Sequence, residues 1–154
     1  MNKKTNIFWY GLLAITIVII DRFSKSYALR YCVQACQVNQ YISLECIYNR
    51  GIAWGILYSA HPLQFIIVSA IVAIIIGIIC IHTYHAFRRG AHIVGEIMIL
   101  AGAISNFFDR LFHHGVIDFI HLSYNEWSWP HFNFADLCIV IGVGIMLIGC
   151  YNES

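Results

Sequence analysis

Two aspartates of this chain lie where acidic side chains are expensive, inside apolar stretches. Asp118 is enclosed by Gly115-Val116-Ile117-Asp118-Phe119, and Asp136 ends Phe132-Asn133-Phe134-Ala135-Asp136. A carboxylate in such surroundings costs several kcal/mol unless it is paired or protonated. Two carboxylates that share a poorly solvated site hold one proton between them, and they can then divide the roles of general acid and general base. Asp118 and Asp136 are therefore candidates for a catalytic pair.

Two further groups of polar residues have helical spacing. Asp21 and Lys25 are four residues apart and share one helix face, so we expect a structural ion pair. Asn106, Asp109 and Arg110 share a face of another helix. For Asp109 and Arg110, a charge pair at a helix end is the simpler interpretation. These groups need rigid elements to bring them together.

Composition indicates what those elements are. Hydrophobic residues make up 60% of the 154 residues and charged residues 11%, against about 45–50% and about 25% in soluble domains. A soluble domain of this size cannot hide so much apolar surface. The composition excludes an ordinary soluble globule and a disordered chain, and it predicts a helical integral membrane protein. The net charge of +1 gives no reason to expect nucleic-acid binding.

Apolar stretches long enough for helices predict four membrane spans within a single domain. Pro62 suits the first turn of the second span, and Arg88-Arg89-Gly90 suits its end. A cleaved signal peptide is the alternative for the first stretch, but Asp21, Arg22 and Lys25 disfavour it. Glu96, in the third stretch, is expected to extend toward the membrane interface. The predicted spans are about 5–28, 63–86, 91–111 and 134–151.

The positive charges set the expected orientation of these spans. Lys3-Lys4 lie before the first span, and Arg88-Arg89 lie between the second and third spans. With four spans, both pairs fall on the same side of the membrane, which is assigned to the cytoplasm. The connections at about 29–61 and 112–133 then face outward, as do all the polar groups above. Residues 31–50 have the composition of one or two short strands. The aromatic residues of 121–134 are typical of a membrane–water interface.

Histidine and cysteine chemistry has weaker support. Eight histidines suggest a haem or metal site, but no zinc-binding signature is present. Cys32, Cys36 and Cys46 lie in the outward segment, where one disulfide could form among them, and the pairing stays open. We therefore expect no metal and no organic cofactor. The alternatives to an enzyme are a small transporter or channel that uses buried charges, and a haem-bearing redox protein.

With these residues in view, the chain resembles the bacterial lipoprotein signal peptidases, also called signal peptidase II. The resemblance covers nearly the whole chain, and four motifs occur in the family's order. They are Asp21-Arg22-Phe23-Ser24-Lys25, Asn49-Arg50-Gly51-Ile52-Ala53-Trp54, Gly102 to Arg110 followed by Gly115 to Phe119, and Phe132-Asn133-Phe134-Ala135-Asp136. Ser105 departs from the family pattern, because glycine is common at that position.

The resemblance implies an all-α membrane protein, a four-transmembrane-helix bundle. A small periplasmic β-sheet and a short periplasmic helix would be built from residues 31–60. Asp118 and Asp136 match the catalytic aspartates, and Asp21 and Lys25 match a structural pair. The positions that line or brace the site are Asn49, Gly51, Asn106, Asp109, Arg110, Asn133 and Ala135.

The implied activity is that of an intramembrane aspartic endopeptidase. It would remove the signal peptide from diacylglyceryl-modified prolipoproteins by cutting just before the lipidated cysteine. The implied location is the bacterial inner membrane, with both termini cytoplasmic and the site toward the periplasm. The implied partners are prolipoproteins, membrane lipid and globomycin-type cyclic peptide inhibitors, with no nucleic acid and no cofactor, and a monomer is expected. Which aspartate carries the shared proton stays open, because the pair titrates as a unit.

Overall fold

Four helices and a four-stranded antiparallel sheet make up the part of the chain that the structure, a computed structural model, describes: residues 3–32, 34–51 and 61–152. The helices are α1 (Lys3–Tyr31), α2 (Pro62–Arg89), α3 (Val94–His113) and α4 (Phe134–Asn152). The strands are β1 (Cys36–Gln37), β2 (Ile42–Asn49), β3 (Val116–Tyr124) and β4 (Trp127–Phe132). A short helix is expected within residues 31–60, and residues 52–60 of that segment lie outside the described residues.

Helix α3 is the centre of the bundle, because it contacts α1, α2 and α4. It meets α4 almost backbone to backbone. A Cβ atom on Gly95 would lie 2.6 Å from the carbonyl oxygen of Gly142, and one on Gly102 would lie 2.6 Å from that of Ala135. Small residues let membrane helices approach this closely. The central position of α3 also corrects the expectation for Glu96, which is 6% exposed and does not extend to the interface.

The outer faces of the helices are strongly apolar. Isoleucines along α2, among them Ile66, Ile74 and Ile78, are 60% or more exposed. Among the described residues, two helices are long and apolar enough to cross a bilayer, Asn6–Tyr31 and Pro62–Arg89, while the apolar part of α4 is shorter. As expected, Pro62 begins α2 and Gly90 ends it, with a left-handed φ of 88°.

The sheet is larger than the sequence indicated. The strands expected within 31–50 are confirmed as β1 and β2, but β3 and β4 come from the second connection, where we predicted none. The strand order is β1-β2-β3-β4. A two-residue turn joins β3 to β4 at Asn125-Glu126, and Asn125 has a φ of 52°. Asparagine tolerates this left-handed conformation, so this residue pair between aromatic runs was the overlooked hairpin signal.

The pairing register of β2 and β3 places Asn49 close to Asp118. Ile47 lies opposite Asp118, and Asn49 lies opposite Val116. β3 follows α3 after Gly115, and β4 leads directly into α4. Both ends of the hairpin are therefore tied to the two helices that pack most closely. The candidate residues meet at this junction of sheet and bundle.

A buried charge network fixes α1 against α3. Lys25 Nζ lies 2.8 Å from Asp21 Oδ2 and 2.8 Å from Asp109 Oδ2, and it donates a hydrogen bond of 2.6 Å to Asn106 Oδ1. An ammonium group has three donors, so Lys25 is fully satisfied. Lys25, Asp21 and Asp109 are each at most 1% exposed. The ion pair expected from the spacing of Asp21 and Lys25 is thus present, and it extends to a second helix.

We expect Lys25→Met to destabilise the protein severely. The substitution would leave two buried carboxylates facing each other with one cation fewer, and breaking a buried ion pair costs about 3–5 kcal/mol. Thermal unfolding of the detergent-solubilised protein measures the effect. Arg30→Met, at an exposed position near the end of the same helix, is the control and should change little. Equal stability of the two variants would contradict the structural role of Lys25.

We also expect Gly142→Ala to lower the thermal stability, by about 3 °C or more. An added Cβ would lie 2.6 Å from the carbonyl oxygen of Gly95, and overpacking of this kind costs about 1–3 kcal/mol. Gly144→Ala on the same helix is the matched control, because nothing lies within 4 Å of a Cβ placed there. A melting temperature unchanged in both variants would show that the helices tolerate wider separation.

Candidate active site

Asp118 is held on β3 by two asparagine side chains. Its Oδ1 accepts a hydrogen bond of 2.7 Å from Asn133 Nδ2, and its Oδ2 accepts one of 3.0 Å from Asn49 Nδ2. The residue is 2% exposed. Asn49 comes from the end of β2 and Asn133 from the junction of β4 with α4. The carboxyl group is therefore fixed by elements on either side of its own strand.

Asp136 is fixed in the first turn of α4 by a reciprocal capping arrangement. Its backbone N–H donates to Asn133 Oδ1 at 3.0 Å, while its Oδ2 accepts from the backbone N–H of Asn133 at 3.0 Å. This geometry is that of a capping box with Asn at the N-cap and Asp three residues later. Asp136 thus lies in the first turn of α4, and its other oxygen, Oδ1, accepts a hydrogen bond of 2.8 Å from Asn106 Nδ2.

Two asparagines link the aspartates to the buried network. Lys25 can only donate, so its bond to Asn106 Oδ1 fixes the amide orientation and turns Asn106 Nδ2 toward Asp136. Asn106 Oδ1 also accepts a bond of 3.2 Å from Asn133 Nδ2, the same group that donates to Asp118. A continuous path of hydrogen bonds therefore joins Lys25 to both carboxyl groups.

Arg110 and Gly51 form the next part of the site. Asn49 Oδ1 accepts a bond of 2.9 Å from the backbone N–H of Gly51, and Arg110 Nη2 donates to the carbonyl oxygen of Gly51. Arg110 is 5% exposed, and its guanidinium carbon lies 5.8 Å from the ring centre of Phe65. Its Nη1 has no hydrogen-bond partner among the described residues. This arginine therefore retains donor capacity beside the aspartates.

The electrostatics of the site favour a single proton on the pair. Burial, and then the charge of Asp136, raise the pKa of Asp118 from 3.8 to about 7, although hydrogen bonds from Asn49 and Asn133 act in the opposite direction. With that proton bound, three carboxylates in this region would face the three cations Arg22, Lys25 and Arg110. The arrangement can bind a polarisable carbonyl group and activate a water molecule.

All of the predicted site residues converge on one region. Asp109 Oδ2 accepts a bond of 3.3 Å from the N–H of Ile117, next to Asp118, and Asp21 Oδ1 accepts one of 3.0 Å from the N–H of Ala135, next to Asp136. The two structural acids therefore position the backbone on which the candidate pair stands. The sequence offered this convergence only as an expectation from the topology.

Two bracing residues were overlooked, Arg22 and Ser105. Arg22 Nη1 lies 2.7 Å from Asp109 Oδ1, and its Nε donates to Ser105 Oγ at 3.1 Å. Ser105 Oγ in turn donates to Asp21 Oδ2 at 2.6 Å. Ser105 thus adds a hydroxyl to the buried network. An arginine beside an intramembrane Asp21 was the available signal.

No metal centre is found in the ranges 3–32, 34–51 and 61–152: no three His, Cys, Asp or Glu side chains there are grouped to hold an ion. His121 and His131 stack with ring centres 4.5 Å apart on the sheet, and His121 makes hydrogen bonds to Ser43 and Ser128. These histidines serve the sheet rather than the pair of aspartates.

Comparison with known proteins shows which family this chain is similar to. Residues 13–152 match the family described as signal peptidase (SPase) II. The lipoprotein signal peptidase of Pseudoalteromonas atlantica is 32% identical over 145 residues, which cover 92% of this chain and 88% of the relative. That of Aquifex aeolicus is 33% identical over 144 residues, covering 90% and 83%.

Solved structures agree in fold. A bacterial membrane enzyme determined by the in meso method at 2.3 Å resolution superposes with a TM-score of 0.76 at 28% identity, over 96% of this chain and 90% of that one. A second, at 1.9 Å, gives 0.74 at 27% identity and covers 96% of both chains. Because the family match spans most of the described helices and strands, the chain belongs to the signal peptidase II family of membrane proteases, which remove signal peptides from prolipoproteins.

Proposed function

We propose that this protein is an intramembrane aspartic endopeptidase in which Asp118 and Asp136 are the catalytic residues. The proposal is carried by the contact that both aspartates share with Asn133. The side-chain amide of Asn133 donates a hydrogen bond to Asp118, and its backbone N–H donates one to Asp136. Two carboxyl groups fixed by one residue, one of them almost fully buried, cannot both ionise cheaply. Aspartic proteolysis needs this property.

In the proposed reaction, the ionised member of the pair takes a proton from a water molecule. The water oxygen attacks the scissile carbonyl carbon, while the protonated member donates a hydrogen bond to the carbonyl oxygen. The protonated member then transfers its proton to that oxygen, which gives a gem-diol. As the gem-diol collapses and the C–N bond breaks, the pair donates a proton to the leaving amine and takes one back from a gem-diol hydroxyl. The pair ends with one proton, as it began.

The bracing residues have separate tasks in this reaction. Asn49 and Asn106 each donate to one carboxyl group and hold it in place for attack. Arg110 Nη1 is available to bind a backbone carbonyl of the substrate, while Nη2 holds the Gly51 carbonyl. Such fixed donors need no reorganisation when charge develops. No metal or organic cofactor takes part.

The proposed substrate is a diacylglyceryl-modified prolipoprotein, cut just before its lipidated cysteine. Four helices would span the inner membrane, with both termini in the cytoplasm and segments 29–61 and 112–133 in the periplasm. A site at this outer end admits water while the acyl chains of the substrate stay in lipid. A globomycin-type cyclic peptide would compete with the substrate for this site. The enzyme would act as a monomer.

The proposal predicts that Asp118→Asn and Asp136→Asn each lower the cleavage rate by about 10³-fold or more, since either change removes a general acid or base. A gel-shift assay with a lipidated prolipoprotein in detergent measures this. Glu126→Gln, in the exposed turn between β3 and β4, is the control and should retain wild-type activity. Substantial turnover by a folded Asp118→Asn or Asp136→Asn enzyme would remove that residue from the catalytic pair.

The raised pKa of Asp118 predicts the alkaline limb of the pH profile. A carboxyl group with a raised pKa stays protonated until that pH, so kcat/KM should fall above about pH 7, where the pair loses its proton. Asn49 donates to Asp118 and favours the ionised form, so Asn49→Ala should raise this pKa and move the limb to higher pH. Kinetics across a pH series measure both effects.

The same Glu126→Gln variant should reproduce the wild-type pH profile. An alkaline limb that stays in place or moves to lower pH in Asn49→Ala would contradict the assignment of this limb to Asp118.

A further inference from the structure

Three cysteines meet where α1 ends and the sheet begins, a feature that the proposed reaction does not use. Cys32 follows the last residue of α1, Cys36 begins β1, and Cys46 lies in β2. The backbone N–H of Cys46 donates a hydrogen bond of 3.0 Å to the carbonyl oxygen of Cys32. This hydrogen bond brings the two backbones into direct contact, and a disulfide requires Cα atoms about 4.4–6.8 Å apart. All three cysteines are free thiols in the structure.

Burial separates this set into a pair and a single residue. Cys32 is 3% exposed and packs with Ala28 and Phe119, and Cys46 is half-buried, whereas Cys36 is exposed. The pKa of Cys46 is raised by burial first, then by the neighbouring Cys32 thiol and by the Asp118 carboxylate. The backbone hydrogen bond and this interaction of the thiols both place Cys46 beside Cys32.

We propose that Cys32 and Cys46 form a reversible disulfide that ties the outer end of α1 to β2. The proposal rests on the periplasmic placement of residues 29–61 proposed above, because that compartment is oxidising. The oxidant is a disulfide, either that of a thiol–disulfide oxidoreductase or that of a small disulfide compound. Its two sulfurs are reduced to thiols and take up the two protons, while Cys32 and Cys46 lose theirs and form the S–S bond.

The bond would act on the site through β2. It would close a loop from residue 32 to residue 46 and anchor the strand that carries Asn49, the donor to Asp118. Closing a loop of this size stabilises a protein chiefly by restricting its unfolded state. Reduction should therefore lower the thermal stability without removing any catalytic group.

The test begins with thiol trapping in intact cells. N-ethylmaleimide added before lysis blocks free thiols, and the full-length protein is purified in detergent and digested without reduction. Mass spectrometry should find a peptide pair linked through Cys32 and Cys46, with Cys36 alkylated. Cys36→Ser should retain the link, and Cys46→Ser should lose it. Alkylated Cys32 and Cys46 in the wild-type protein, or a link that includes Cys36, would overturn the proposal.

A second measurement follows the effect of a reductant on thermal stability. A reductant should lower the melting temperature of the wild-type protein and of Cys36→Ser by about 5 °C or more. It should not change that of Cys46→Ser, and equal sensitivity of all three would overturn the proposal. Neither measurement depends on the cleavage of a prolipoprotein by this protein. If the protein has the Cys32–Cys46 disulfide but does not cleave a prolipoprotein, only the proposed function is contradicted. If it cleaves a prolipoprotein but lacks the disulfide, only the disulfide proposal is contradicted.

Discussion

The position of Lys25 between Asp21, Asp109 and Asn106 is the interaction on which the rest of the structure depends. A single buried ammonium group satisfies three acceptors from two helices. Isolated charges in such a place are prohibitively expensive, so the helices can pack only in the arrangement that pairs them. The network is therefore better understood as a constraint on geometry than as a large net contribution to stability.

The consequences of this constraint extend directly to the candidate catalytic pair. Asp21 accepts from the backbone of Ala135, Asp109 accepts from that of Ile117, and both bonds fix the residue next to a candidate aspartate. Asn106, oriented by Lys25, donates to Asp136 itself. The pair is thus held by groups that are themselves buried and paired, which is the support that a pre-organised site requires.

The protein also uses a common local motif for a second purpose. The capping box of Asn133 and Asp136 starts α4 and would be sufficient as a structural feature. The side-chain NH₂ group of Asn133 is not used by the capping box, and it donates a hydrogen bond to Asp118 on β3, the strand that pairs with β4. One side chain thereby couples the start of a helix to the chemistry of the sheet, and the arrangement needs both elements to be in register.

The sequence by itself determined the class of protein, the four helices, the ion pair of Asp21 and Lys25, and the residues of the candidate site. The first three follow from composition, apolar run lengths and i to i+4 spacing, which are read along the chain without knowledge of the fold, whereas most of the site residues follow from the motifs that the chain shares with the family it resembles. The hairpin of β3 and β4, the burial of Glu96, and the roles of Arg22 and Ser105 were decided only by the tertiary structure. Each depends on a neighbour that is distant in sequence: β2 for β3, the surrounding helices for Glu96, and Asp109 for Arg22, 87 positions away. A one-dimensional pattern can identify a costly polar residue, but only the folded chain shows which partner offsets its cost.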